Sequence, residues 1–295
     1  VRSHNQEPTP RTTHSRIDDT AGDLTLVLGA TGKTGRRVTS RLEALGRSVR
    51  RASRSGTPAF DWNHEPGWPL CLEGVSSVYL NYAPDLAIPG ATDSIAAFLD
   101  QARRHGVRRI VLLSGRGEAE AQACETMVQE SGLDSTIVRA SWFNQNFSEG
   151  AFVDMVRSGN LTLPASHTPE PFVDADDIAD VAVAALTQPG HNGEVYEVTG
   201  PRLLTLSEVA EELSRAVQRP ITYHPVPHEA FVATVAESGA PKDVVWIMDY
   251  LFSTVLDGRN AHLSDGVERA LGRPARDFSQ YARTVAATTT WREVA

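Results

Sequence analysis

The sequence contains little lysine, little cysteine and no long apolar run. Lysine occurs only at Lys33 and Lys242, so arginine supplies nearly all of the basic side chains. Cys71 and Cys124 have neither metal-site nor redox-motif spacing, and we expect both thiols to be reduced. Because no signal peptide or membrane span is visible, we expect a cytoplasmic protein without membrane contact. The net charge of −9, from 28 basic and 37 acidic residues, argues against nucleic acid as a partner.

A glycine-rich turn connects an apolar segment to an amphipathic helix near residue 30. The stretch LVLGATGKTGRRV, residues 26–38, places Gly29, Gly32 and Gly35 at regular spacing. Glycine at these positions permits a tight turn, lets the backbone approach a pyrophosphate, and lets the helix pack close to the strand. Free amides at the helix N-terminus and the helix dipole favour a bound phosphate. We therefore predict a dinucleotide site formed by Gly29, Thr31, Gly32, Lys33, Thr34 and Gly35.

The tripeptide Gly32-Lys33-Thr34 is also typical of a nucleoside-triphosphate loop. The consensus of that loop begins with another glycine, before Gly32. This sequence has Val27 at that position, inside the apolar segment Leu24–Leu28. A residue within a buried strand cannot also begin a phosphate cradle, so the spacing disfavours a triphosphate. A plain turn between strand and helix, without a ligand, remains the structural alternative.

Strand-like apolar segments alternate with amphipathic helices from residue 24 to about 140. This alternation predicts an α/β fold, a Rossmann-like doubly wound parallel sheet that binds ligands at the carboxyl ends of its strands. One of the predicted strands covers Ala59–Trp62. We expect a disordered polar tail at 1–22, a nucleotide-binding domain at 23–150, and a smaller, mainly helical lobe at 151–295 that is interleaved with the sheet.

Two polar clusters after residue 170 predict helix starts. Asp174, Asp176 and Asp177 fit a helix N-cap with acidic residues near the positive end of the helix dipole, rather than a metal site. Thr205 and Glu208 have the spacing of a capping box. We predict no bound metal.

The region that would contact the adenosine ribose contains arginine and no acid. In NAD enzymes an Asp or Glu about 20 residues after the first glycine holds the 2′-hydroxyl group. Residues 49–55 instead contain Arg50, Arg51 and Arg54. Guanidinium groups bind a 2′-phosphate, which a carboxylate would repel. We predict NADPH (NADP) rather than NADH as the cofactor, with Arg54 as the best contact and Lys33 as the second; the alternative is that these arginines only solvate a surface turn.

Several longer motifs resemble one family. They are LVLGATGKTGRRV, ASRSG followed by FDW, VRRIVLLSG, STIVRASWFNQNF, PFVDADDIADVAVAAL, YEVTGPRLLTLSEVAEELSRAV and VERALGRPARDFSQYARTVA, which together extend from about residue 24 to 287. The chain resembles the NmrA-like branch of the atypical short-chain dehydrogenases/reductases. It is most similar to the group of the festuclavine and agroclavine dehydrogenases, which reduce a carbon–nitrogen double bond with NADPH.

The resemblance implies roles for residues at the ends of the predicted strands. Asp61 and Trp62 would border the adenine, and Tyr82, Ala83 and Pro84 would lie along the cofactor. Further implied residues are Ser114 near the nicotinamide ribose and Trp142, Phe143 and Asn144 around the nicotinamide. For Trp142 and Phe143, packing in the core is the alternative.

The usual proton-donating pair of short-chain dehydrogenases is missing. These enzymes use Tyr-x-x-x-Lys, in which the tyrosine donates a proton to the reduced carbonyl. The stretch that follows Ser114, residues 115–132, contains neither Tyr nor Lys. Within this branch a glutamate often occupies the helix, and we expect Glu125 to be structural or ribose-side. Ser114, Tyr82 and His167 remain candidate donors, although a surface histidine is the commoner role for His167.

These observations favour a reductase whose substrate needs little acid catalysis. We expect a small, largely apolar metabolite, such as an iminium ion, a quinone or a conjugated alkene, in a pathway of secondary metabolism. Trp142, Asn144, Phe147 and Phe172 are the expected pocket residues. A dinucleotide sensor acting through a protein partner, or a non-redox cyclase or isomerase, would fit the same fold. The sequence leaves the oligomeric state open.

Overall fold

The computed structural model describes residues 23–164 and 167–292, so the tail predicted at residues 1–22 lies outside the described residues. The described residues form eight strands: β1 (Leu24–Leu28), β2 (Ser48–Ala52), β3 (Val75–Leu80), β4 (Arg109–Gly115), β5 (Asp134–Ala140), β6 (Asn160–Pro164), β7 (Val195–Val198) and β8 (Thr222–Val226). They also form eleven α-helices: α1 (Gly35–Ala44), α2 (Trp68–Leu72), α3 (Ala91–Arg104), α4 (Ala119–Gln129), α5 (Val153–Ser158), α6 (Ala175–Thr187), α7 (Leu206–Val217), α8 (His228–Glu237), α9 (Lys242–Tyr250), α10 (Gly266–Leu271) and α11 (Phe278–Ala286). Across these ranges no helix combines the length and the apolar character needed to cross a membrane.

Six strands form one parallel sheet in the order β2-β1-β3-β4-β5-β7. The chain runs outward from β1 to β2 and then crosses back to β3 on the other side of β1. The strand order therefore reverses between β1 and β3, and ligands of such sheets bind at this switch point, beyond the carboxyl ends of the strands. The predicted Rossmann-like fold is confirmed.

Helices cover both faces of the sheet. Side chains of a strand alternate between the two faces, and in β1 Leu26 and Leu28 face the core under α2, α3 and α4, while Val27 faces the core under α1, α6 and α10. All three side chains are fully buried. Burial on both faces explains why β1 is an uninterrupted apolar run in the sequence.

The chain after residue 150 contributes to both parts of the molecule. β7 extends the main sheet, and α6 packs beside α1 on the sheet. Apart from α10, which packs on α6 and β7, the remaining helices enclose a second core together with the two-stranded parallel sheet of β6 and β8. The predicted helix starts are confirmed, because the Asp174 side chain accepts from the Asp176 N–H, and Thr205 and Glu208 form the reciprocal capping box of α7. The domain boundary at residue 150 stays a prediction.

The strand predicted at Ala59–Trp62 is wrong, and this segment is irregular. The segment is a loop, and its aromatic rings pack against α3. Phe60 and Trp62 contact the rings of Trp68 and Phe98 at centroid distances of 5.5 to 5.9 Å. The carbonyl oxygen of Asp61 accepts from the Trp68 indole N–H rather than from a neighbouring strand.

Candidate active site

The glycine turn lies at the switch point of the sheet. Gly29 has a φ of 63°, and a Cβ there would lie 2.7 Å from the Asn81 side chain that follows β3. A Cβ at Gly35 would overlap the carbonyl oxygen of Gly29, so α1 begins directly against the turn. Within the described ranges, the N–H groups of Lys33 and Thr34 donate to no backbone carbonyl. A helix start with free amides and no obstructing side chain fits a bound phosphate.

A cavity of about 310 Å³ opens beside this turn, at the carboxyl ends of β3, β4 and β5. Its floor comes from the residues after these strands, among them Asn81, Ser114 and Ser141. Its ceiling comes from α9 and the single π-helical turn that continues it, Leu251–Val255. The apolar ceiling side chains are Val244, Ile247, Met248 and Leu251. The cavity therefore joins a polar floor to an apolar roof.

The structure brings many of the predicted site residues together around this cavity. Those that line it are Lys33, Tyr82, Pro84, Ser114, Trp142 and Phe143. Tyr82 packs on Trp62, with the ring centroids 4.7 Å apart, so Trp62 lies immediately behind the cavity wall. Trp142 is fixed by an edge-to-face contact with Phe252. The aromatic wall that the resemblance implies is therefore present as a geometric feature.

Three of the four residues predicted for the substrate pocket, and one candidate proton donor, do not line the cavity. Phe147 and Phe172 are almost fully buried and pack on Phe278 in the core of the C-terminal part, which corrects the expectation that they form the pocket wall. Asn144 is fully buried, and its amide has no hydrogen-bond partner among the residues described. His167 is exposed, away from the cavity lining. Aromatic residues of a core and of a pocket have the same sequence pattern, which explains the error for the two phenylalanines.

Of the three arginines in and just after β2, one has a guanidinium without a bond to the rest of the described chain. Arg50 donates to the carbonyl oxygens of Cys71 and Glu73, and Arg51 pairs with Glu43. Arg54 is exposed and has no ion pair or hydrogen bond within the part of the chain that the structure describes. Arg54 is therefore the available cation at the end of the edge strand.

Lys33 points in the opposite direction. Its Nζ donates to Asn146 Oδ1 at 3.0 Å, beyond β5, and burial lowers the pKa of this ammonium. Since β5 and β2 lie on opposite sides of β1, Lys33 faces the cavity and not the neighbourhood of Arg54. The expectation that Lys33 is a second contact for a 2′-phosphate is corrected accordingly.

Ser114 belongs to a chain of buried charges. Its hydroxyl donates to Glu125 Oε1 at 2.6 Å, and Glu125 pairs with Arg139 from β5. Arg139 continues to Glu197 of β7, which also binds Arg116. The hydrogen bonds to Glu125 and Glu197 raise the pKa of Arg139. Because the Ser114 proton is held by a carboxylate, Ser114 presents acceptor lone pairs to the cavity and is a poor proton donor.

Sequence reasoning missed two acidic residues of the cavity wall, Asp85 and Glu118. Glu118 is 5% exposed, and burial raises the pKa of its carboxyl well above the ordinary value. Burial also raises the pKa of Asp85, and the nearby carboxyl group of Asp85 contributes to the raised pKa of Glu118. The available signal was positional, because each residue follows the end of a parallel strand whose carboxyl end faces the site. Nothing in the described ranges gathers acidic, histidine or cysteine side chains into a metal site.

Comparison with known proteins decides the family. Residues 120–284 match the NmrA-like family. The chain belongs to the NmrA-like family. The sequence-based resemblance is thereby confirmed, and with it a Rossmann-like NAD(P)-binding fold of oxidoreductase type.

Similar members of this family and fold carry the names of reductases. An NAD(P)H azoreductase of Xenophilus azovorans is 32% identical, over 90% of this chain and 98% of that protein. An agroclavine dehydrogenase of Claviceps fusiformis is 31% identical, over 87% and 95%. The triphenylmethane reductase of Citrobacter sp., solved with NADP(H), has a TM-score of 0.70 at 19% identity and covers 90% of this chain and 99% of its own. At that identity the solved structure supports the fold alone.

Proposed function

We propose that this NmrA-like protein is an NADPH-dependent reductase of a small, largely apolar electrophile, namely an iminium ion, a quinone or a conjugated alkene. The names of its relatives support reduction as the reaction. The observation that carries the proposal is the cavity of about 310 Å³ beside the glycine turn. A nucleotide sensor needs no such space next to the reactive end of its cofactor, whereas a reductase must admit a second molecule there.

Different residues around the cavity would bind different parts of the cofactor and the substrate. The glycine turn and the N-terminus of α1 would hold the pyrophosphate. When bound, the reduced nicotinamide supplies a hydride. Trp142, Phe143 and the ceiling of α9 would exclude water and hold an apolar acceptor. Ser114, with its proton directed to Glu125, would accept a hydrogen bond from a ribose hydroxyl.

The preference for NADPH rests on Arg54. Its guanidinium lies free at the end of β2, where the ribose of a dinucleotide is bound in this fold. Neither Arg50 nor Arg51 offers the same group, because both are already bonded within the protein. A free guanidinium without a neighbouring acid favours a 2′-phosphate over a 2′-hydroxyl group.

The direct test follows NADPH absorbance with a panel of iminium ions, quinones and enones. We expect oxidation with at least one class. In a variant with a filled ceiling, Met248→Trp, turnover should fall while NADPH binding persists, because Met248 lines the cavity and not the glycine turn. Lys242→Trp, at the exposed start of the same helix, is the matched control. Tight NADPH binding without oxidation of any acceptor would refute the reductase and favour the sensor or a non-redox enzyme.

A further inference from the structure

We propose that the carboxyl groups of Asp85 and Glu118 share one proton and deliver it to the reduced substrate, in place of the tyrosine that this chain lacks. The inference rests on the proposed function, because it assigns the proton that accompanies hydride transfer to a quinone or enone. It concerns two residues of the cavity wall that the sequence analysis did not single out.

Both carboxyl groups are held at the cavity by the ends of neighbouring strands. Asp85 follows β3 and Glu118 follows β4, at the first turn of α4. A Cβ at Gly115 would overlap both carboxylate oxygens of Glu118, so only glycine there lets this side chain fold back over the end of β4. The carboxyl group thereby lies against Gly115, the residue after Ser114, in the lining of the cavity.

The pair lacks the donors that would stabilise two charges. The Oε2 atom of Glu118 is buried and receives no hydrogen bond from an N–H or O–H group of the described residues. Asp85 Oδ1 accepts the backbone N–H of Ala87 at 2.9 Å, its one hydrogen bond from an N–H or O–H group among the described residues. In the parts of the chain that are described, no arginine or lysine forms an ion pair with either group. Two adjacent carboxyl groups in such surroundings hold one proton between them.

The charged neighbours of the pair favour retention of that proton. Glu120 and Glu125 of α4 face Glu118, and their charges add to burial and to Asp85 in raising its pKa. Tyr250 of α9 donates its hydroxyl to Glu120. Arg116 also lines the cavity, and its Nε and Nη1 donate to Glu197 and to the carbonyl oxygen of Asn260. We therefore assign the shared proton to Glu118, with Asp85 as the group that accepts its hydrogen bond.

The chemical balance is simple. A hydride adds to the electrophilic carbon of a quinone or enone, the carbon–oxygen or carbon–carbon π bond breaks, and its electron pair becomes an enolate or phenolate. The Glu118 O–H bond then breaks and its proton joins that anion, after which the carboxyl pair regains a proton from water. An iminium ion needs no such proton, because hydride addition neutralises it. The pair therefore matters for one class of acceptor and not for the other.

The first experiment observes the proton without any turnover. Infrared titration of the cofactor-free protein should show the carbonyl stretch of a protonated carboxylic acid at neutral pH. Because Glu170 also has a raised pKa of about 7 and adds to this band, the readout is the difference spectrum between wild type and variant. We expect one component of the band to be lost in Glu118→Gln and weakened or shifted in Asp85→Asn, and the whole band to persist in Glu130→Gln, which removes an exposed carboxylate just beyond the end of α4. An unchanged band in Glu118→Gln at neutral pH would overturn the inference while leaving the proposed reductase function intact.

The second experiment compares acceptor classes. In Glu118→Gln we expect kcat with a quinone or enone to fall about 100-fold or more, the usual scale of lost general-acid catalysis, and kcat with an iminium ion to stay close to wild type. Equal losses with both classes would indicate a structural role and refute the inference. No loss with either would refute it as well. If the wild-type protein oxidises NADPH with no acceptor although the infrared band is present, the proposed function fails and this catalytic role fails with it.

Discussion

The stability of the protein should depend on pH through Glu170, a glutamate of the C-terminal part. Glu170 is 1% exposed, and neither carboxylate oxygen has a hydrogen-bond partner in the described ranges. Its backbone pairs with Leu204 in both directions at 2.9 Å, which fixes the side chain in the interior. Burial raises the pKa of Glu170 to about 7 from the ordinary 4.5, although the charge of Arg116 acts in the opposite direction.

The sign and size of the effect follow from this difference. The folded protein binds the Glu170 proton more tightly than the unfolded chain does, so the free energy of unfolding falls as the pH rises from 4.5 towards 7 and then stays level. At about 1.4 kcal/mol for each pKa unit, the whole change is about 3 kcal/mol. Between pH 5 and pH 8 we expect the wild-type protein to lose about 2 to 3 kcal/mol that Glu170→Gln does not lose.

Equilibrium urea unfolding of both proteins at pH 5 and pH 8 measures this difference. Glu237→Gln, which alters an exposed residue at the end of α8, serves as the control and should keep the wild-type pH dependence. The stability of Glu170→Gln has no contribution from titration at this position, because the amide does not ionise. The quantity that tests the reasoning is therefore the difference between the two pH values. An identical loss in wild type and Glu170→Gln would show that Glu170 does not carry a raised pKa in the native protein.

Three further outcomes concern the cofactor side of the site. Arg54→Ala should weaken NADPH binding about 10- to 100-fold, as the loss of hydrogen bonds to a charged group predicts, and leave the dissociation constant of NADH unchanged. Arg51→Ala is the matched control. If the ratio of the NADPH and NADH dissociation constants is unaltered in Arg54→Ala, Arg54 does not bind the 2′-phosphate. Gly35→Ala should lower the free energy of unfolding by about 1–3 kcal/mol and weaken binding of either dinucleotide in calorimetry, because its Cβ would overlap the Gly29 carbonyl; binding at the wild-type level would contradict the close approach of helix and turn. Ser114→Ala should cost about 2 kcal/mol in thermal or urea unfolding, since it removes a buried hydrogen bond to a carboxylate, and unchanged stability would mean that this bond contributes nothing net.

Local patterns predicted the nucleotide-binding half of the fold well. The apolar run of β1, the glycines after it and the amphipathic α1 all depend on neighbours in the sequence, and they appear where the pattern indicates. The same holds for the capping box of α7. The segment Ala59–Trp62 resembles a strand in sequence but lies outside the sheet, and its aromatic rings pack against α2 and α3.

Only the part of the site that is formed by the ends of the sheet strands could be predicted from the sequence. Residues after β3, β4 and β5 converge because parallel strands end on one edge of the sheet. The ceiling could not be predicted this way, since Ile247 and Met248 lie more than 100 residues along the chain from Trp142. The sequence also could not predict that Asp85 and Glu118 lie close enough to share a proton, because it does not show whether an acidic side chain contacts water or another buried acid.

The roof of the cavity and its floor come from separate stretches of the chain. Residues that follow the sheet strands form the floor beside the dinucleotide site, whereas α9 and the turn after it form the roof. Substitutions in the roof should therefore change the shape of the cavity that would hold the substrate, without changing the residues that would bind the cofactor. If the proposed function holds, exchanging residues 242–255 between two members of the family should change which acceptor is reduced and leave the binding of the cofactor unchanged.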